Sequence, residues 1–456
     1  MTNAAEFSPP VSSWAASAPV TTNDYQRDRA AFGTFWQAGR RLLDALPAKS
    51  KRTVAEQAQA AAILDAARAA RKAFLRAHVT ELYGRLTGGM TKSHRVEHLA
   101  YAAAAEAPGL CPERATVERE LSLLQKDKDG HEVDQGLLFN YILGDAACGM
   151  HLCHAMLLPC DDAITRLEAY RRDGKIDLGT AAVERRGAIS IVWFKNGRYL
   201  NAEDETTLQA VETAVDLAIL DPETKIGLLR GAPIASGKYA GQPVFCTGIN
   251  LTHLYNGKVS FLWYLIRDMG FINKMYRGQS LPGVPADEIH GDTHEKPWMA
   301  AVEKFAIGGG CQYLLATDYV IAARDAYMTL PARKEGIIPG VANLRLPRFV
   351  GDRIARQAIM SERRIDCDTP EGRLICDEIV DESQIDQAIE AVAARLTSSG
   401  VVSAASNRRS FRIGHETLDQ FRQYMAVYSR EQALCHFSPA LISNLERFWD
   451  AQNRKM

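Results

Sequence analysis

Residues 298–310 place a long apolar run directly before three consecutive glycines, and this junction constrains the fold more than any other feature. The run WMAAVEKFAI has the length and composition of a mostly buried strand. A helix-like pattern follows at residues 311–319. Glycines between the two allow the backbone to approach another group closely, and the first N–H groups of a helix have no partner within it. The junction is therefore suited to stabilising an oxyanion, which needs donors that are already aimed.

The composition is that of a globular protein, with 46% hydrophobic and 24% charged residues among 456. That length allows two or three domains. The net charge is −1 and the basic residues are spread along the chain, which argues against a nucleic-acid surface. Nine scattered cysteines are typical of reduced thiols in a cytoplasmic protein. Neither a membrane span nor a signal peptide is recognisable, so residues 1–24 are predicted to be a flexible tail.

Three parts are predicted after this tail. Residues 25–180 show helical periodicity, with a capping-box signature at Thr53 and Glu56, and are expected to form an all-α N-terminal domain. Residues 181–400 alternate strand-like runs with helical patterns, which indicates an α/β core. Residues 401–456 form a C-terminal helical region whose apolar stripe must pack on this core or on another subunit. The predicted strands include residues 188–194, 225–230 and 244–247, and the stripe consists of Leu418, Phe421, Met425 and Tyr428.

Two segments in the α/β part resemble a known superfamily. One is VFCTGINL at residues 244–251, and the other runs from Lys296-Pro297 to Gly310-Cys311. Together and in this order they are similar to the crotonase (enoyl-CoA hydratase/isomerase) superfamily. The resemblance implies the α/β crotonase fold, a stacked βα superhelical core, here with an all-α N-terminal domain and C-terminal helices. A dinucleotide loop is disfavoured because the G-x-G-x-x-G spacing is missing.

The same resemblance implies a coenzyme A thioester as the substrate. In the superfamily two backbone N–H groups hold the thioester oxygen, and they correspond here to Ile249 and Gly309. Read alone, Ile249 is equally compatible with an ordinary core position. The residues implied in coenzyme A binding are Lys238, Tyr239, Ala240, Gly248 and Asn250.

The chain departs from the family's hydratases at both catalytic glutamates. Gln312 and Ala332 stand in their places. An amide and a methyl group cannot exchange a proton near neutral pH, so hydration of a double bond is disfavoured. Glu335, three residues later, is not expected to replace the missing glutamate without a change in geometry. An apolar wall beside the α-carbon suits O₂ as a co-substrate, and its predicted members are Leu251, Ala332 and Ile337.

Within the superfamily this combination resembles the cofactor-independent dioxygenases of dihydroxyphenylglycine and glycopeptide antibiotic biosynthesis. The resemblance implies conversion of (3,5-dihydroxyphenyl)acetyl-CoA and O₂ to 3,5-dihydroxyphenylglyoxylate and coenzyme A through an enolate. It also implies substrate contacts from Glu203, Arg267 and Gln312. Without the resemblance, Arg267 is better explained as a surface arginine, Glu203 as the start of a helix and Gln312 as a helix cap.

Two other functions remain open. A crotonase-type thioester hydrolase or isomerase would use water in the same pocket, and a non-catalytic acyl-CoA-binding protein would use the helical extension to bind a partner. The dioxygenase needs no metal and no flavin, and no convincing metal-ligand set lies near the core. The expected partners are an acyl-CoA and O₂, with neither nucleic acid nor membrane. The family resemblance implies a homo-oligomer, a trimer or a hexamer.

Overall fold

The N-terminal third is a layered array of helices. The structure, a computed structural model, describes residues 9–398, 401–454 and 456. The capping box predicted for Thr53 and Glu56 is present at the start of the longest helix, with both reciprocal hydrogen bonds formed. The helices of this region are α1 (Pro9–Ala16), α2 (Tyr25–Asp44), α3 (Val54–Thr87), α4 (Val96–Glu106), α5 (Arg114–Leu121), α6 (Val133–Gly144), α7 (Ala146–Leu157) and α8 (Asp161–Asp173).

The prediction of a flexible tail over residues 1–24 is wrong for its described part. Helix α1 packs on the array, with Trp14 8% exposed. The Trp14 ring stacks on Phe35 at 4.5 Å between centroids, and its indole N–H donates to the Phe35 carbonyl. Burial and stacking of this aromatic ring attach the short helix to the array. Residues 1–8 lie outside the described residues.

A seven-stranded sheet forms the centre of the next part, in the order β1-β2-β3-β4-β7-β9-β12. The first three strands pair antiparallel and the others pair parallel. The elements here are β1 (Lys175–Asp177), β2 (Ala181–Arg186), β3 (Ile189–Phe194), α9 (Glu205–Leu220), β4 (Ile226–Gly231), α10 (Leu251–Tyr255), α11 (Phe261–Met269), α12 (Phe271–Arg277), β5 (Gln279–Ser280), β6 (Thr293–His294), β7 (Trp298–Val302), β8 (Phe305–Ile307), α13 (Gly309–Leu314), β9 (Tyr319–Ala323), β10 (Tyr327–Thr329), α14 (Ala332–Glu335), α15 (Ala342–Ser361), β11 (Ile365–Asp366) and β12 (Glu378–Val380).

The predicted strands at residues 188–194 and 225–230 are confirmed as β3 and β4. The prediction of one strand over residues 298–307 is wrong. The run bends at Lys304, whose φ is +65°, so that β7 lies in the large sheet and β8 in a three-stranded sheet with β10 and β11. Residues 244–247 are also not a strand, and pair through a single bridge between Cys246 and Ala306.

The boundary of the helical region lies earlier than residue 180. Helix α8 ends at Asp173, and β1 already belongs to the large sheet. Within the part of the chain that the structure describes, no single helix is long and apolar enough to cross a membrane. The pair Val133–Gly144 and Ala146–Asp173, bent by 108°, passes that test by length and composition.

Four C-terminal helices complete the structure, and the third of them packs on α6. The predicted stripe of Leu418, Phe421, Met425 and Tyr428 is buried against this chain's own core. The two helices are so close that a Cβ at Gly136 would lie 2.5 Å from Ala433 Cβ. The N-terminal array and the C-terminal helices therefore share one hydrophobic core. These helices are α16 (Ile385–Thr397), α17 (Val401–His415), α18 (Leu418–His436) and α19 (Pro439–Trp449).

Candidate active site

Two backbone N–H groups meet where β8 ends and α13 begins. Gly308 connects these elements with φ +53° and ψ −113°, and Gly309 is the first residue of the helix, where an N–H has no helical partner. Gly248 approaches this point so closely that a Cβ on it would lie 2.8 Å from Gly309 N. Its φ of +74° also requires glycine. The N–H groups of Ile249 and Gly309 are thus brought side by side.

Parallel pairing with Glu203 fixes the direction of the Ile249 N–H. The backbone N–H of Glu203 donates to the Gly248 carbonyl at 2.8 Å, and the backbone N–H of Asn250 donates to the Glu203 carbonyl at 2.7 Å. Ile249 lies between Gly248 and Asn250 in this parallel pairing, so its N–H points away from Glu203. Among the described residues, no acceptor takes a hydrogen bond from the N–H of Ile249 or Gly309. Both donors are available to a substrate oxygen.

A small inner cavity of about 30 Å³ lies on one side of these donors. Ala332 and Ile337, two of the predicted oxygen-pocket residues, line it together with Leu330 and Ile338. Leu251 does not line it; Leu251 is the first residue of α10 and lines a separate outer cavity. On the α14 side the lining is therefore mostly apolar, with the ionisable Glu335 as an exception, and the oxygen pocket stays a prediction.

The opposite wall of the inner cavity carries a buried polar cluster centred on Arg267. This guanidinium binds Glu203 in a bidentate manner, at 2.7 and 2.9 Å. Its remaining N–H groups donate to Asp268 at 2.8 Å, to Gln312 at 2.6 Å and to the Gly309 carbonyl at 3.2 Å. Arg267 is 2% exposed, so its interpretation as a surface residue is wrong.

Full hydrogen bonding of Arg267 changes its expected role. A guanidinium has five N–H groups, and all five have acceptors in this cluster. None is free to donate to a substrate, so the predicted substrate contact of Arg267 would need one of these bonds to be exchanged. The Gln312 amide N–H₂, in contrast, has no acceptor among the described residues, and Glu203 has an unused lone pair beside its bonds to Arg267 and Tyr313. These two side chains can receive a ring hydroxyl.

Burial and mutual attraction both shift the pKa values of Asp268 and Arg267. Burial raises the pKa of Asp268, although Arg267 acts in the opposite direction. The pKa of Arg267 lies well above its ordinary value, since attraction to Glu203, Tyr313 and Asp268 outweighs the opposing effect of burial. The cluster therefore carries a fixed cation beside the inner cavity.

Arg267→Met is expected to lower the free energy of unfolding by about 3–5 kcal/mol, because two buried carboxylates would lose their partner. Urea unfolding at neutral pH measures this change. Arg356→Met is the matched control: its pair with Asp352 is solvent-exposed, so a change below about 1 kcal/mol is expected. Similar changes in the two variants would show that the buried cluster does not depend on Arg267.

The outer cavity, of about 460 Å³, lies on the other side of the two donors. Asn250 lines it, and so do three cationic side chains, Arg198, Lys334 and Arg454. The predicted coenzyme A residues Lys238, Tyr239 and Ala240 form an exposed loop that, among the described residues, is not part of either cavity lining. Tyr239 packs its ring on Phe305 instead, at 5.5 Å between centroids.

Glu335 is a site residue that sequence reasoning missed. Helix α14 begins at Ala332 and ends at Glu335, so the two residues lie one turn apart on the same face. Both line the inner cavity, so Glu335 approaches it from a different position than a residue at 332 does. The signal in the sequence was the three-residue spacing between Ala332 and Glu335. This spacing places both side chains on one face only if the segment is helical. Burial raises the pKa of Glu335 to about 7.

Metal ligands do not gather at this site. Within the described ranges, no group of three or more His, Cys, Asp and Glu side chains is placed to hold a metal ion. Cys246 and Cys311, both near the glycine junction, are buried free thiols whose pKa values burial raises.

Comparison with known proteins identifies the family. Residues 286–432 match the model of the enoyl-CoA hydratase/isomerase family. Over 408 residues, the chain is 42% identical to a (3,5-dihydroxyphenyl)acetyl-CoA 1,2-dioxygenase of Amycolatopsis orientalis, covering 89% of this chain and 92% of that protein. The chain belongs to the enoyl-CoA hydratase/isomerase family, the crotonases. The fold is therefore the crotonase fold, as predicted.

More distant crotonases match a smaller share of the chain. A crotonyl-CoA hydratase of Syntrophomonas wolfei is 24% identical over 237 residues, covering 52% of this chain and 82% of that protein. The solved enoyl-CoA hydratase of Bacillus halodurans is 15% identical with a TM-score of 0.49, covering 59% of this chain and all of that chain. The long match with the dioxygenase, in contrast, includes much of the N-terminal helical array.

Proposed function

We propose that this crotonase is a cofactor-independent dioxygenase. It converts (3,5-dihydroxyphenyl)acetyl-CoA and O₂ to 3,5-dihydroxyphenylglyoxylate and coenzyme A, a step in glycopeptide antibiotic biosynthesis. One observation carries the proposal: a pair of free N–H donors lies beside a small cavity with Ala332 and Gln312 at the hydratases' glutamate positions. The similarity to the Amycolatopsis orientalis dioxygenase supports the choice of substrate.

The proposed reaction begins with the thioester oxygen between the N–H groups of Ile249 and Gly309. These donors stabilise the enolate that forms when the α-carbon loses a proton. The electron-rich enolate then transfers an electron to O₂, so the reaction requires neither a metal nor a flavin. The radical pair joins in a C–O bond at the α-carbon, and the distal oxygen attacks the thioester carbonyl and expels coenzyme A thiolate. The O–O bond then breaks as the second α-hydrogen leaves as a proton, so both oxygen atoms enter the glyoxylate. One of the two protons is taken up by the thiolate and the other is released.

The two cavities divide the substrate between them. The dihydroxyphenyl ring is directed towards Glu203 and Gln312, which offer an acceptor and a donor to its hydroxyls, and the inner cavity of about 30 Å³ must widen to admit it. Arg267 holds these two side chains in place. The coenzyme A moiety occupies the outer cavity, where Arg198, Lys334 and Arg454 are suited to its phosphates. Lys238, Tyr239 and Ala240 can contact only parts of coenzyme A outside that cavity.

The protein is expected to consume oxygen without any added metal. Purified protein, exhaustively treated with a chelator, is mixed with the arylacetyl-CoA in aerobic buffer, while an oxygen electrode and a thiol reagent follow the reaction. We expect a colourless preparation of unchanged activity, with one thiol released for each O₂ consumed. A loss of activity that iron or copper restores would contradict the proposal.

Thioester hydrolysis is the second candidate, and the ionisable Glu335 between the two cavities favours it, because such a group can activate water. Thiol release without oxygen uptake in the same experiment would identify a hydrolase. A non-catalytic acyl-CoA-binding protein is least supported, since binding alone gains nothing from two donors aimed at the thioester oxygen.

We further propose a cytoplasmic homo-oligomer, a trimer or a dimer of trimers. Several apolar side chains of the C-terminal helices are exposed in the single chain, and such surfaces mark interaction sites. Sedimentation would give the number of subunits. These side chains are Val402, Phe411, Ile413, Val427 and Leu434.

A further inference from the structure

Glu335 occupies the boundary between the two cavities. Among the residues that the structure describes, three line both of them: Ile249, Pro331 and Glu335. Ile249 supplies one oxyanion donor, and Pro331 precedes α14. Glu335 is therefore the one ionisable side chain, in the described linings, that faces both the thioester position and the inner cavity.

The Glu335 carboxylate has no partner in the described part of the protein. Neither of its oxygens takes part in a hydrogen bond or an ion pair there, although the side chain is 8% exposed. The other two carboxylates of the inner cavity, Glu203 and Asp268, are both held by Arg267. A buried carboxylate without a cation is costly unless it can take up a proton. Such a group is poised to act as a base near neutral pH.

Its distance from the donors suits a reaction at the α-carbon. A Cβ placed on Gly308 would lie 4.0 Å from Glu335 Oε1, and Gly308 directly precedes the donor Gly309. A thioester oxygen held by Ile249 and Gly309 has its α-carbon only two bonds away. That carbon must then lie at the junction of the cavities, within reach of a side chain that borders both.

We propose that Glu335 is the catalytic residue that removes the α-proton of the bound acyl-CoA. The C–H bond breaks, the proton moves to a Glu335 carboxylate oxygen, and the electron pair forms the enolate. Negative charge thereby moves from the carboxylate to the thioester oxygen, where the Ile249 and Gly309 N–H groups hold it. This inference rests on the proposed function, in which the enolate then reacts with O₂. Glu335 compensates, from one helical turn further on, for the glutamate that Ala332 replaces.

The test separates proton removal from oxygen chemistry by excluding O₂. Wild-type protein and Glu335→Gln are incubated anaerobically with the arylacetyl-CoA in D₂O, and mass spectrometry follows deuterium uptake at the α-carbon. We expect at least a hundredfold slower uptake in Glu335→Gln, the range that a positioned base contributes. The Kd for the acyl-CoA should change less than about threefold, because the amide keeps the shape of the carboxyl and no partner is lost.

Two further variants make the result specific. Glu335→Asp should recover part of the exchange, since a shorter carboxylate can still accept a proton. Glu81→Gln, on the exposed face of α3, should exchange at the wild-type rate. Exchange at the wild-type rate in folded, acyl-CoA-bound Glu335→Gln would overturn the inference, even if the wild-type protein consumes O₂. Conversely, Glu335-dependent exchange without oxygen uptake would support Glu335 as the base and overturn the dioxygenase proposal alone.

Discussion

Gly309→Val is expected to lower kcat for thioester oxidation about a hundredfold or more. A Cβ at this position would overlap Glu203 Oε2 and lie 2.9 Å from Arg267 Nη2. The start of α13 must therefore shift and move one of the two oxyanion donors. Loss of one such donor costs about 3 kcal/mol in the barrier, which corresponds to roughly a hundredfold in rate.

The same clash predicts a second effect that the sequence did not indicate. Because the Cβ overlaps the Glu203 carboxylate, the variant also disturbs the buried pair with Arg267, so its unfolding temperature should fall. Thermal unfolding and kcat are measured together, with Gly84→Ala on α3 as the control. A Cβ at Gly84 meets nothing within 4 Å, so that variant should keep its activity. Parent kcat in a folded Gly309→Val protein would show that this N–H is not a donor.

Ala332→Glu is expected to abolish oxygen uptake, with a decrease of about a hundredfold or more. A cavity of about 30 Å³ has room for roughly one water-sized molecule, and a glutamate side chain would fill it. The new carboxylate would also lie one helical turn from Glu335, where like charges raise each other's pKa and draw in water. O₂ cannot compete with water for such a site, because it is uncharged and forms scarcely any hydrogen bonds.

Slow deuterium exchange at the α-carbon should persist in Ala332→Glu, because the N–H groups of Ile249 and Gly309 are untouched and the Glu335 carboxyl remains present as a base. Oxygen uptake and exchange are therefore measured in parallel on one preparation. Ala332→Gln is the matched comparison, since it fills the same volume without a charge. Undiminished oxygen uptake in Ala332→Glu would show that O₂ reacts elsewhere. If Ala332→Gln retained oxygen uptake and Ala332→Glu lost it, the negative charge and not the added volume would be the cause of the loss.

The sequence predicted those features that depend on neighbouring residues. The crotonase fold, the strands β3 and β4 and the capping box of Thr53 and Glu56 are confirmed. Each rests on a local pattern that the tertiary structure does not override. The break between β7 and β8 was missed although a charged pair marks it. Buried Glu303 turns towards Arg230, with 2.9 Å between Oε1 and Nε, and Lys304 adopts a left-handed conformation.

The features that sequence reasoning missed depend on residues far apart in the chain. Arg267 is polar enough for a surface helix, and only its pairing with Glu203, 64 residues away, explains its burial. Trp14 orders α1 because a stacking partner lies on α2. Glu335 becomes a site residue only because α14 turns it towards the cavity of Ala332. No local pattern encodes these contacts.

The packing of α18 on α6 has a consequence for how the protein is made. Asn140 donates to the Ala426 carbonyl at 2.6 Å, and Gln125 donates to the His436 carbonyl at 2.7 Å. On the ribosome, α6 emerges about 270 residues before the helix that covers it. At a synthesis rate of about 5–20 residues per second, the apolar face of α6 stays uncovered for roughly 15–50 s before α18 is made. The N-terminal array therefore cannot bury this face until α18 has been made, and chaperone demand should be concentrated in that interval.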